Sequence, residues 1–145
     1  MDFALTETQR IFESSVRKFA ENELKKGALS RAHSPEYPWD VAKLMAEQGL
    51  FGITIPERDG GQGGSLLDAV LAIEQVALTC PRSADLIQAG NFGAIRVLAE
   101  FGSEDQKRRY LSQLLKAQFL VAVAMTEPEA GSAVTELKTS AVADG

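Results

Sequence analysis

From Thr6 to about residue 117 the apolar side chains recur at intervals of three and four, and at Phe119 that spacing gives way to an unbroken run, Phe119-Leu120-Val121-Ala122-Val123-Ala124-Met125. This change of period constrains the fold more than any other feature. The first stretch can bury one face only as helices, whereas the second has the branched, continuous look of a buried strand. The expectation is an all-α fold: a bundle of about five helices over residues 1–117, then over 118–145 the first strands of a β-barrel-like domain. Lys138-Thr139-Ser140-Ala141-Val142 reads as a second strand and Asp144-Gly145 as a turn signal. Two strands cannot bury their own apolar face, so the chain is expected to be part of a longer protein.

The helices have legible ends. Thr6 and Gln9 have the form of a capping box, and Ile11, Phe12, Val16 and Phe19 follow on one face, which predicts a helix from Thr6 to about Leu24. Pro38 as a first helical residue and Gly49 as a stop bound a short second helix. Ser65 to about Leu78 is apolar on nearly every face, which predicts a central helix with Glu74 partly buried. A fourth helix is expected from about Ser83 to Phe101, with Ile87, Ile95, Leu98 and Phe101 inward and Gly102 as its stop. Ser103 and Gln106 form a second capping box, after which Tyr110, Leu111, Leu114 and Leu115 carry the buried stripe and Lys107, Arg108 and Arg109 a solvated face.

Bulk properties narrow the function classes. An apolar content of 45% with 24% charged residues is that of a globular domain, and a net charge of −5 argues against a broad nucleic-acid or anionic-membrane surface. No apolar stretch approaches the roughly 20 residues a membrane span needs, and the acidic start does not read as a signal peptide. The single cysteine, Cys80, forms no internal disulfide, no Cys/His cluster suggests a metal, and cytosol or an organelle matrix is the expected compartment. Cys80 reads as an inert, half-buried thiol, His33 as a solvated loop residue, and Tyr37 and Trp39 as packing at a helix entry. The glycine-rich stretch Gly60-Gly61-Gln62-Gly63-Gly64 lacks the flanking pattern of a nucleotide loop and reads as a tight chain crossing.

Met125-Thr126-Glu127-Pro128-Glu129-Ala130-Gly131-Ser132 resembles the flavin-binding signature of the acyl-CoA dehydrogenase family, at the end of the first strand of its middle β domain. Ile55-Pro56-Glu57 leading to the glycine-rich stretch, Phe101 to Lys107 leading to Tyr110-Leu111, and Leu137 to Ala141 match the family in the same order. The resemblance implies FAD as cofactor, held by Met125, Thr126, Gly131 and Ser132, with Ser132, Ala89 and Gly93 toward the acyl-CoA substrate. A strand end suits that task. It offers an apolar wall plus donors for the flavin edges where negative charge grows on reduction. Ala133 departs from the family's usual aspartate, which removes a side-chain acceptor beside the loop.

The family's reaction, by resemblance, is α,β-desaturation of an acyl-CoA thioester to a 2-enoyl-CoA, with electrons passing to an electron-transfer flavoprotein. The catalytic glutamate belongs to a C-terminal helical domain beyond residue 145, so no catalytic residue is assigned here and the isolated piece is expected to be inactive. That C-terminal domain would also build a homo-oligomer, a tetramer or dimer. Ala89, Gly90 and Gly93 suggest a roomy acyl pocket, or else close helix packing. Rival readings are a non-catalytic helical module that binds acyl-CoA or a partner, and an oxidase or a reductase of the same fold.

Overall fold

The computed structural model describes residues 4–143. Helix α1, Glu7–Phe19, opens on the expected capping box: the Gln9 N–H donates to the Thr6 hydroxyl at 3.2 Å and the Thr6 N–H to the Gln9 side chain at 3.0 Å. Its last turn widens into a π-type turn, Ala20–Leu24, that buries Ala20 and Leu24. Val16 is buried, but Ile11, expected inward, is 62% exposed. A short helix not anticipated from the spacing, α2 (Ala28–His33), follows Gly27, with the Arg31 guanidinium donating to the Lys26 and Leu24 carbonyls. Side chain-to-backbone bonds hold it rather than an apolar stripe. His33 ends it, exposed.

Helix α3 is Trp39–Glu47. Pro38 sits one position outside it as the cap, and Gly49 ends it at φ 71°. The Tyr37 and Trp39 rings meet edge-to-face at its entry, 4.7 Å between centroids.

Helix α4, Leu66–Ala77, packs against α1 and against α5, Pro81–Asn91. It starts on a capping box at Ser65 and Asp68, and Asp68 lies below the usual carboxylate range because the Ser65 hydroxyl, the Ser65 N–H and Gln9 all donate to it. Glu74 is exposed, contrary to expectation. The polar residue the helix buries is its neighbour Gln75, 2% exposed, which accepts from Arg17 Nε and donates to Glu13 Oε1, both at 2.8 Å. Leu66, Leu67, Val70 and Leu78 face outward, so α4 is not enclosed on all sides.

The single helix expected over 83–101 is two. Phe92 leaves the helical region and Gly93 takes φ 64°, ψ −131°, before α6 runs Ala94–Phe101. The break resets the helical phase, which puts Phe101 76% in solvent although its spacing from Ile87 would place both on one face. Ser103 and Gln106 cap α7, Glu104–Gln106, which passes through a π-type turn, Lys107–Leu111, into α8, Ser112–Leu115. Leu111, Leu114 and Leu115 are buried as expected, whereas Tyr110 lies near the surface at 37% exposure. Lys107 is not on a solvated face: its side chain is 11% exposed and pairs with Asp59 at 3.7 Å and Glu104 at 3.2 Å.

Two apolar cores result. The larger joins α1, α3, α4 and α5 through Val16, Leu24, Met45, Val76 and Ile87; the smaller joins Ile55 to Ile95, Ala99, Leu111, Leu114 and Leu115. The glycine-rich stretch lies between them as the tight crossing its composition suggested. A Cβ on Gly61 would stand 2.2 Å from the Ile55 carbonyl oxygen. The amides of Gly61, Gln62, Gly63 and Gly64 donate to Pro56, Gly52, Ile55 and Ile53 carbonyls. With those four donors engaged, this loop has no such amides left to cradle a phosphate.

Residues 119–125 and 138–142, read as strands, form no ladder among the described residues; the one bridge joins Glu127 and Ala130. A strand's backbone groups need a neighbouring strand, and neither segment has one here. The Asp144-Gly145 turn signal lies outside the described residues. Among those described, no helix is long and apolar enough to cross a membrane.

Candidate functional site

The loop after residue 125 is built around one turn. The Glu127 N–H donates to the Ala130 carbonyl at 3.0 Å and the Ala130 N–H returns to Glu127 at 3.2 Å, a mutual pair that places Thr126 and Gly131 on adjoining stretches of chain. Ala130 is buried under the turn, while Met125, Thr126, Gly131 and Ser132 are all exposed. The four expected cofactor residues are thus brought onto one open loop.

The carboxylate of Glu127 closes this loop. Its Oε2 accepts the Lys138 N–H at 2.9 Å, and its Oε1 accepts the Thr139 N–H at 2.8 Å and the Thr139 hydroxyl. These donors, the Thr139 hydroxyl foremost, hold Glu127 below the usual carboxylate range. A second tie, Lys138 to Glu129 at 2.9 Å, is exposed at both ends and contributes little. Glu127's partners lie eleven and twelve residues along the chain, so no local spacing announced this role.

Gly131 carries information by contrast with the other glycines. Among the described residues a Cβ there would meet nothing within 4 Å, and its φ is not in the left-handed region. Among the described residues, neither backbone strain nor packing demands a glycine.

The small residues of the fourth expected helix separate by role. Ala89 and Gly90 line a cavity of about 20 Å³ with Tyr37, Phe51, Ile95, Leu114 and residues 119–121, and Gly93 is not part of it. Gly90 is small because the Phe51 ring lies 2.8 Å from where its Cβ would be, and Gly93 because of its positive φ. Close packing therefore accounts for Gly90, and the helix break for Gly93. Tyr37, not singled out for the pocket, brings a buried hydroxyl with no hydrogen-bond partner among the described residues; burial raises its pKa, partly offset by Arg82. Cys80 is fully buried, with the Ser83 hydroxyl donating to its sulfur at 3.1 Å.

The family model described as "Acyl-CoA dehydrogenase, N-terminal domain" matches residues 6–118. The chain belongs to the acyl-CoA dehydrogenase family. Among its relatives in that family, it is 34% identical to a short-chain specific acyl-CoA dehydrogenase of Clostridium acetobutylicum over 100% of this chain and 38% of the relative. It is 38% identical to an NADH-dependent acryloyl-CoA reductase of Anaerotignum propionicum, over 99% of this chain and 36% of the relative. The FAD complex of PigA superposes with a TM-score of 0.80 at 28% identity, over 94% of this chain and 36% of that one. The chain therefore spans little more than a third of the length of these proteins.

Proposed function

We propose that this chain forms the helical N-terminal part and one flavin-contacting loop of an FAD-dependent acyl-CoA dehydrogenase, with residues 118–145 opening a β domain. The observation that carries the reading is the closed loop at Glu127. In a member of this family, it holds Met125, Thr126, Gly131 and Ser132 together on one exposed loop.

Bound FAD would accept the hydride that leaves the acyl β-carbon. The chain's own residues bind and orient. Thr126 offers a hydroxyl and an amide to a flavin edge, Met125 an apolar contact, Gly131 an approachable backbone, and Ser132 a hydroxyl for a phosphate or the thioester-bearing ligand. Ala89 is proposed to stand on the acyl side; it lines a small cavity of about 20 Å³ with Tyr37. None of Glu74, Glu127 and Glu129 is proposed as the base that removes the α-proton: Glu74 is exposed on α4, both oxygens of Glu127 are engaged, and Glu129 pairs with Lys138 in solvent. That base belongs to the family's C-terminal domain, which would also carry the oligomer contacts, and an electron-transfer flavoprotein is the proposed acceptor.

The test is an anaerobic titration of the full-length protein with acyl-CoA esters of increasing length. Bleaching of a bound flavin's visible bands by one ester supports the reading, and a protein that takes up no flavin defeats it. The likeness to an acryloyl-CoA reductase favours one second reading, reduction of a 2-enoyl-CoA. Steady-state rates in both directions, with NADH and with an electron-transfer flavoprotein, separate the two.

A further inference from the structure

The loop that carries Thr126, Gly131 and Ser132 has no strand ladder beneath it among the described residues, yet its base is closed. Glu127 is tied three ways. Its N–H and carbonyl are paired with Ala130, and its carboxylate takes two successive amides and a hydroxyl from Lys138 and Thr139. The other tie across the base, Glu129 with Lys138, joins two exposed side chains and fixes little. Thr126 is covalently next to Glu127, and Gly131 follows Ala130, Glu127's main-chain partner. The position of both therefore depends on where Glu127 is held.

We infer that Glu127 is a positioning residue for the cofactor: its carboxylate clips residues 138–139 against the loop base and so sets Thr126 and Gly131-Ser132 at the spacing a flavin edge requires. The inference rests on the flavin reading above. The chemistry requires a carboxylate at this point, because three donors converge on one side chain and only an acceptor-only group satisfies them all. A glutamine there would turn an NH₂ toward an N–H donor. An aspartate is one methylene too short to reach both amides.

The test uses the full-length protein as wild type, Glu127→Gln, Glu127→Ala, Thr139→Val and Glu129→Gln, each freed of flavin and titrated with FAD. The readouts are flavin fluorescence, visible circular dichroism and amide hydrogen exchange at Lys138 and Thr139 without cofactor. Glu127→Gln and Glu127→Ala are expected to weaken FAD binding about tenfold or more, as loss of bonds to a charged group implies. They are also expected to alter the flavin dichroism and to lose protection at both amides. Thr139→Val, which keeps both amides on the carboxylate, should weaken binding by a smaller factor, and Glu129→Gln should change nothing. Should Glu127→Ala fail to fold, Glu127→Gln and Thr139→Val carry the test. Wild-type FAD affinity and dichroism in Glu127→Gln would overturn the inference while leaving the flavin reading intact. A wild-type protein that binds no FAD would overturn both, and normal amide protection in Glu127→Gln would show that the clip itself is absent.

Discussion

The two glycine-bearing loops of this chain are opposite in kind. Around Gly61 the backbone crosses so closely that the absent Cβ is occupied space, and the loop's amides are consumed by the carbonyls of Gly52, Ile53, Ile55 and Pro56. Around Gly131 the absent Cβ faces nothing among the described residues, Thr126 and Ser132 are exposed, and the loop is held by the Glu127–Ala130 main-chain pair and the Glu127 carboxylate at its base. A glycine can serve packing within the chain or access from outside it. The first loop is part of the core, and the second is the one proposed to meet the flavin.

The largest test of that difference is a pair of glycine substitutions in the full-length protein. Gly61→Ala should lower unfolding stability by roughly 3 kcal/mol, since a backbone oxygen cannot step aside as a side-chain end can. Gly131→Ala should leave the denaturant midpoint of the flavin-free protein unchanged and weaken FAD binding instead. Equal loss of stability in both would erase the distinction.

A smaller effect probes what joins the helices behind the loops. Gln75 bridges Arg17 and Glu13 from a buried position, so Gln75→Leu should cost about 1 kcal/mol, with Arg17 and Glu13 keeping their own 3.6 Å pair. Urea midpoints of the variant and of Glu74→Leu, at the exposed neighbour, should differ accordingly.

The pH response distinguishes the loops again. Glu127's carboxylate is held below its ordinary value, with Glu129 and Lys138 the charged groups beside it. Its ties are therefore complete above the ordinary glutamate range and are lost as the pH falls through Glu127's own lowered value. Amide exchange should show Lys138 and Thr139 losing protection in that acid window, while Gly63 and Gly64, bonded to carbonyls, keep theirs. Simultaneous loss would contradict the assignment.

The smallest change concerns Ala133, which stands at the cap of the short turn Val134–Glu136 with no side-chain bond to it. Ala133→Asp, restoring the residue the family usually has, should steady that turn by about 0.5 kcal/mol. A slight slowing of amide exchange at Glu136 is the expected readout.

Much of the helical domain was legible because its signals are local. Thr6 with Gln9 and Ser103 with Gln106 close their capping boxes as the spacing predicts, and Gly49 ends α3. The Gly93 break was not legible, since a glycine inside an apolar periodicity is compatible with a continuous helix. Neither was the burial of Lys107, whose partner Asp59 is remote in sequence. At the candidate site, Met125, Thr126, Gly131 and Ser132 were visible as a motif, whereas the closure by Glu127 was not.

The amino-acid order by itself determined the all-α character of the domain, the helix ends at Thr6, Gly49 and Ser103, and the change of period at Phe119. Those rest on hydrogen bonds within a few residues and on the periodicity of one chain. Tertiary structure alone decided that Gln75 and not Glu74 is buried, that Gly61 is filled where Gly131 is open, and that Glu127 reaches Thr139. Each of those depends on which distant backbone comes to lie alongside, and that is settled by packing rather than by spacing.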